Sequence, residues 1–183
     1  MNKTVRQKDA SIDNHGTSRV NFIAKLPILC LAALIAGCGP NHQNDKKLID
    51  NFTAHEGEFE KLVLMLRTDK KLKRIDDTWT SPEDTTSVGV TRERVAEYRS
   101  MFSTLGIPRG FVASHDPEDF QFIASTAGIS VSGSCKGYCY RESAPSAPDR
   151  ILSDLNGYRA AHLRPFTAYR HIKGKWYLYY YEN

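Results

Sequence analysis

The chain has 183 residues, with 25 Lys and Arg against 21 Asp and Glu, a formal charge of +4. Residues 1–37 hold five of those cations and two of the carboxylates, so residues 38–183 carry only +1 and give no support to nucleic-acid binding through charge. Those 146 residues suit one domain with its own core, and they contain no second long apolar run, no internal repeat and no long low-complexity stretch.

An apolar run from Leu26 to Ala36 follows Lys25. Its eleven residues suit the apolar segment of a secretory signal peptide and are too few to cross a bilayer comfortably. A buried core helix is the bland alternative. Against it, the run is N-terminal, follows a lysine and ends in Leu34-Ile35-Ala36-Gly37-Cys38. That ending resembles the lipobox of bacterial lipoprotein signal peptides, a branched apolar residue and two small residues before a cysteine. The resemblance implies that residues 1–37 are a removed leader, which takes Cys30 with it. It also implies that Cys38 begins the mature protein, with diacylglycerol on its thiol and an acyl group on its amine. Each buried methylene contributes about 0.8 kcal/mol, so the three chains implied would hold the protein firmly on a membrane. Gly39 stands where an Asp would resemble the inner-membrane retention signal of enteric bacteria. The location expected is the outer membrane, facing the periplasm.

Residues 1–25 are polar and mixed in charge, unlike the short basic start of a leader. If translation starts at Val20, the leader reads Met, Asn21, Phe22, Ile23, Ala24, Lys25 and then the apolar run. Met1 to Arg19 is then a misassigned start. A peptide from that segment in the unprocessed precursor would refute this reading.

Residues 38–44 read as the lipidated tether, and residues 45–183 as a single periplasmic domain. Asn44 or Asp45 stands where a helix cap is needed. Leu48, Phe52, His55, Phe59, Leu62 and Leu66 then recur at steps of three and four, with Ile49 and Val63 widening the stripe. This predicts one amphipathic helix packed on its own sheet. A coiled-coil partner helix is the sharper reading, poorly served by Gly57 inside the repeat. The cations of Lys70-Lys71-Leu72-Lys73-Arg74 read as a solvated helix end. Thr80 to Gly89 reads as a loop. A second helix is predicted from Thr91, a good N-cap, with Val90 and Val95 placed as a hydrophobic staple. Gly106 and Pro108 end it.

From Gly110 the period becomes two. Strands are predicted at Phe111–Ala113, Asp119–Thr126, Ile129–Tyr140, Phe166–Ile172 and Lys175–Tyr181, with Lys173-Gly174 as a hairpin turn. Ser143–Pro148 reads as a loop and Ile151–Leu155 as a helical turn. Two helices followed by strands predict an α+β domain, with both N-terminal helices on a mainly antiparallel sheet of four or five strands.

Cys135 and Cys139 are the cysteines left for an oxidising compartment, where a disulfide is expected. Bonding needs Cα atoms within about 7 Å, whereas four extended residues span about 13 Å, so the bond requires a turn at Lys136-Gly137. On a flat strand both thiols share one face unbonded. The C-x3-C pair also resembles the copper site of certain thioredoxin-like copper chaperones. That family places the pair in a strand-to-helix loop with a histidine far downstream. Here the pair sits among strands with no βαβ pattern, and His162 and His171 are the histidines on offer.

Ser114, His115 and Asp116 are catalytic residue types, but no nucleophile elbow, zinc motif or phosphate-cradling glycine loop accompanies them. Asp116-Pro117-Glu118-Asp119 reads as a turn between strands, and no catalytic residue or cofactor is expected. In Trp176-Tyr177-Leu178-Tyr179-Tyr180-Tyr181, Trp176, Leu178 and Tyr180 share one face and Tyr177, Tyr179 and Tyr181 the other. The second face is either buried as well or exposed as an aromatic interaction surface, with Arg164, Arg170 and Lys173 nearby for an anionic partner.

Two function classes follow. The first is a non-enzymatic periplasmic binding module whose partner is an envelope protein or peptidoglycan. The second is an envelope metal-binding or redox protein using Cys135 and Cys139. Immunity proteins and inhibitors of lysozyme-like enzymes are often lipoproteins of this size. Ser132-Gly133-Ser134 with Tyr138 resembles in part the Ser-Gly-x-x-Tyr loop of one lysozyme-inhibitor family, but the tyrosine falls two residues late, at the fifth position after Gly133, and that function is not carried over. The lipobox resemblance covers only the leader; the mature domain looks like the small envelope lipoproteins common in Gram-negative genomes, which implies no activity.

Overall fold

The computed structural model describes residues 42–129, 132–146, 150–157 and 165–183. The expected leader, Val20, Cys30 and Cys38 lie outside these residues, as do His162 and Arg164. The described residues, from His42 onward, belong to one compact unit.

The first apolar stripe forms two helices rather than one. Helix α1 (Asp45–Ala54) opens at Asn44, whose side chain accepts the Lys46 N–H at 2.8 Å. The backbone breaks at His55 (φ −126°, ψ 26°), and α2 (Glu56–Thr68) begins at once. Gly57, a poor helix former, sits in the first turn after the break. Leu48, Phe52, Phe59, Leu62 and Leu66 are all buried, whereas His55, at the break, is not. Helix α3 (Arg92–Thr104) starts where predicted. Thr91 accepts the Arg94 N–H at 3.2 Å, and both valines of the staple are buried.

The strands are β1 (Arg74–Ile75), β2 (Thr80–Ser81), β3 (Phe111–Ala113), β4 (Phe120–Ile129), β5 (Ser132–Tyr140), β6 (Arg150–Ile151), β7 (Phe166–Lys173) and β8 (Trp176–Glu182). They form one sheet in the order β2-β1-β3-β4-β5-β8-β7-β6. Every pairing is antiparallel except β6 with β7. The α+β class therefore holds, but two helices on four or five strands is corrected to three helices on eight strands in a mixed sheet. Three of the added strands are two residues long, too short to show alternation. Among them, β2 occupies part of the expected Thr80–Gly89 loop, and β6 ends at Ile151, where a helical turn was expected to begin.

The helices cover the face of the sheet that bears Phe120, Phe122, Tyr138, Tyr140, Trp176 and Leu178. The Phe59 and Tyr138 rings lie 4.6 Å apart, and Phe52 and Trp176 5.2 Å apart. Beside this core, β4 is bulged between Ile123 and Ser125 and runs very close to β5. A Cβ at Gly137 would stand 1.9 Å from the Phe122 carbonyl oxygen, so only glycine fits there.

Candidate functional site

The cysteines and tyrosines singled out by the sequence meet on the second face of the sheet. Neither Cys135 nor Cys139 is in a disulfide. The turn that the bond needs does not form, because β5 pairs with β4 and β8 through Lys136 and Gly137. The expected disulfide is therefore corrected to two thiols on one face of an extended strand. The Cys135 thiol lies 3.8 Å from the Tyr179 hydroxyl, and burial pushes its pKa up, away from the nucleophilic thiolate. Among the described residues, no group of three or more His, Cys, Asp or Glu is arranged to hold a metal ion.

Tyr177 and Tyr179 are buried with Tyr169 and Cys139, Tyr179 to 1% exposure, and Tyr181 is half-buried. Strand β8 is thus covered on both faces over most of its length: of the two readings of its second face, the buried one holds at Tyr177 and Tyr179, and the candidate interaction surface is corrected there. Its central place between β5 and β7 is the reason. Two of the cations expected beside it, Arg170 and Lys173, serve the fold. Arg170 bonds Asp45 at 2.8 Å, and Lys173 bonds Glu56 at 2.7 Å. Asp116 accepts the Glu118 N–H at 3.0 Å, a turn contact, and His115 lines a crevice of about 60 Å³.

A buried polar network lies on the helix-facing side near the start of α1. Lys136, 1% exposed, places its Nζ 2.5 Å from Asp45 Oδ1, and Asp45 is fully buried. Asp45 Oδ2 accepts Arg170 Nη1 and the Leu155 N–H, each at 2.8 Å. Asn156 Oδ1 accepts from Lys136 Nζ at 3.2 Å and from the Asp45 N–H at 2.8 Å. Burial works to raise the Asp45 pKa, but the bonds from Lys136, Arg170 and Leu155 outweigh it and hold the carboxyl below its ordinary value. Nearby, His42 Nδ1 lies 2.9 Å from Ser125 Oγ and Nε2 2.8 Å from Ser134 Oγ. Burial, then the Lys136 charge, lowers the imidazole pKa. With a serine on each ring nitrogen, no carboxylate orients the ring as a nucleophile's base requires. This network ties the N-terminal segment to the sheet.

The opposite edge of the sheet carries an open site. Strands β1 and β2 are joined by the turn Asp76-Asp77-Thr78-Trp79. The buried Asp76 carboxylate accepts the N–H groups of Thr78 (3.1 Å) and Trp79 (2.7 Å) and Arg74 Nη2 (3.2 Å). The Asp76 N–H donates to the Trp79 carbonyl at 2.9 Å, and the Asp76 carbonyl accepts Arg99 Nε at 2.9 Å. Burial opposes ionisation of Asp76, but the Trp79 and Thr78 N–H groups and Arg74 win and hold its pKa low. This fixed turn leaves Trp79 48% exposed, with the Arg74 guanidinium 5.1 Å from its ring centroid.

Beside the turn is an open cleft of about 740 Å³, lined by Thr80, Glu83, Asp84, Thr85, Thr86, Arg92, Val95 and Arg99. Arg92, Val95 and Arg99 stand at i, i+3 and i+7 of α3, which puts them on one helix face. Asp84 spends its carboxylate on the N–H (3.1 Å) and hydroxyl (2.6 Å) of Thr86. The Thr80 hydroxyl donates to the Glu83 carbonyl at 3.2 Å, but the Glu83 and Arg92 side chains make no hydrogen bond or ion pair among the described residues. After the bonds from Thr86, the Arg92 charge helps hold the Asp84 carboxyl below its ordinary value, and Arg99 bonds through its Nε. Arg99 also lines a second depression, of about 250 Å³, with Asp77, Phe102, Ser103 and Pro108.

The sequence reading missed this site because it treated the region as loop. The available signal was Asp76, whose side chain can fold back on the N–H groups two and three residues ahead. No protein-family model matches the chain, and no curated protein or solved structure is similar to it.

Proposed function

We propose that this is a lipid-anchored envelope protein, held through Cys38 on the periplasmic face of the outer membrane, which binds an envelope component without catalysing a reaction. The observation that carries the binding part is Trp79, a large exposed aromatic on a turn fixed by the Asp76 carboxylate, amide and carbonyl. Tryptophan is among the residues most enriched at binding hot spots, and a contact fixed in advance costs little ordering entropy on association. Arg74 stacks on the ring, but the half of Trp79 left exposed adds nothing to the core, so binding is the role that half fits best. The adjoining cleft, where the Arg92 and Glu83 side chains make no hydrogen bond or ion pair among the described residues, supports the same reading. The anchoring part rests on the resemblance of residues 34–38 to a lipobox.

Two measurements test the halves separately. Labelled palmitate should enter the wild type and not Cys38→Ala, and label on the variant would overturn the anchor. In crosslinked envelopes, a species captured by the wild type should be lost from Trp79→Ala at unchanged melting temperature. Equal capture by that variant would overturn the Trp79 contact.

A further inference from the structure

The first residues of the domain are fastened to the sheet ahead of its first helix. His42 is half-buried, with Ser125 Oγ 2.9 Å from one ring nitrogen, Ser134 Oγ 2.8 Å from the other and the Tyr180 ring edge-on at 5.5 Å. Gln43 Nε2 donates to the Ala124 carbonyl at 3.3 Å, beside the bulge of β4. Helix α1 does not need these contacts to begin, since Asn44 caps it and Lys136, Arg170 and Asn156 hold Asp45. What they do change is the reach of the chain before the domain. Gly39, Pro40 and Asn41 separate His42 from Cys38, and four residue steps reach at most about 14 Å. With Asp45 as the first fixed point, seven steps would reach about 25 Å. The His42 contacts therefore remove about 11 Å of play between Cys38 and the fold.

The place of His42 on the sheet decides which end this constrains. Ser125, Ser134 and Tyr180 lie toward the end where β4 passes into β5 and β8 finishes. Strand β4 runs on from Ser125 to Ile129, about 13 Å further. That overhang nearly equals the reach from Cys38 to His42, so the β4–β5 end meets a surface bearing Cys38 before the rest of the sheet does. The other end carries the β3–β4 loop and the Lys173-Gly174 turn, and β8 alone spans about 20 Å between the two.

We infer that the β4–β5 end of the sheet is a membrane-facing surface, held against the phospholipid that anchors Cys38 by the His42 and Gln43 contacts. The end with His115 and the Lys173-Gly174 turn then points into the periplasm. The inference rests on the anchored reading above, and adds to it a fixed orientation that an anchor alone does not give.

The full-length lipidated chain is placed in phosphatidylethanolamine–phosphatidylglycerol vesicles that contain a headgroup nitroxide lipid. A coumarin-bearing amino acid replaces either Thr126, exposed near the β4–β5 end, or His115, exposed at the other end. Nitroxide quenching from position 126 should exceed that from position 115 at least threefold. The double variant His42→Ala, Gln43→Ala should cut this difference by at least half at unchanged melting temperature. If that variant melts lower, inserting six Gly and Ser residues between Gly39 and Pro40 lengthens the chain ahead of the contacts and should cut the difference as well. Equal quenching at the two positions, or a difference that neither change reduces, would overturn the inference. Palmitate on Cys38 with equal quenching would overturn the orientation alone. No palmitate on Cys38 would overturn the anchor and the orientation together.

Discussion

Two polar regions of this protein use the same residue types to opposite ends. Around Lys136, charge is enclosed: Asp45 answers both Lys136 and Arg170, and Asn156 and the Leu155 N–H complete the set. Around Trp79, the supporting groups are just as fully bonded, through Asp76, but the groups beyond them are left open. Arg92, Glu83 and Arg99 line the cleft, and neither the Arg92 and Glu83 side chains nor the outer nitrogens of Arg99 make a hydrogen bond or ion pair among the described residues. A network that closes on itself fixes the fold. A network that closes underneath and stays open above displays something.

The sharpest way to break this comparison is at Asp45. Asp45→Ala leaves Lys136 buried without its main counter-charge, and should cost about 3–5 kcal/mol in a denaturant or thermal melt. The double variant Asp45→Leu, Lys136→Met removes the buried pair together and should recover most of that loss. If the double variant is as unstable as the single one, the network does more than balance charge.

The same carboxyl sets a pH dependence. Its folded pKa lies below the unfolded value, so its contribution is complete above the ordinary carboxylate pKa of about 3.9. It is lost as the pH falls through the lower folded value. The stability gap between the wild type and Asp45→Asn should be flat from about pH 5 to 7 and shrink below about pH 4.

Asp76 joins the two regions in kind, being buried but serving the exposed turn. Asp76→Ala removes the acceptor for two N–H groups and Arg74, and should cost about 1–2 kcal/mol. Its larger effect should fall on binding, because Trp79 then samples many positions. Trp79→Ala should show the reverse weighting, with less than about 1 kcal/mol in stability and about 2 kcal/mol or more in binding. Capture from crosslinked envelopes by both variants, paired with melts, separates these effects.

Much of the frame was legible because long periodic segments announce themselves. Thr91 as a cap, the Phe120 and Trp176 strands and the buried stripe from Leu48 to Leu66 all follow from spacing. The break at His55 was not, since helix spacing continues across it. Strands of two residues carry no period, so β1, β2 and β6 were invisible, and the site built on the β1–β2 turn went with them. The tyrosines of β8 showed their alternation clearly. Whether their second face was covered depends on β8 sitting inside the sheet, which alternation alone does not specify. Lys136 was the least legible residue. Its partner Asp45 lies 91 positions away, brought to it only by the finished fold.

The most direct test of the account places a photo-crosslinking phenylalanine analogue at position 79 of the full-length protein in living cells. The control is the same analogue at Leu64, an apolar residue 62% exposed on α2. The account predicts a discrete envelope adduct from position 79 and none from position 64. Equal labelling from both positions, or none from position 79 in a correctly folded protein, would contradict it.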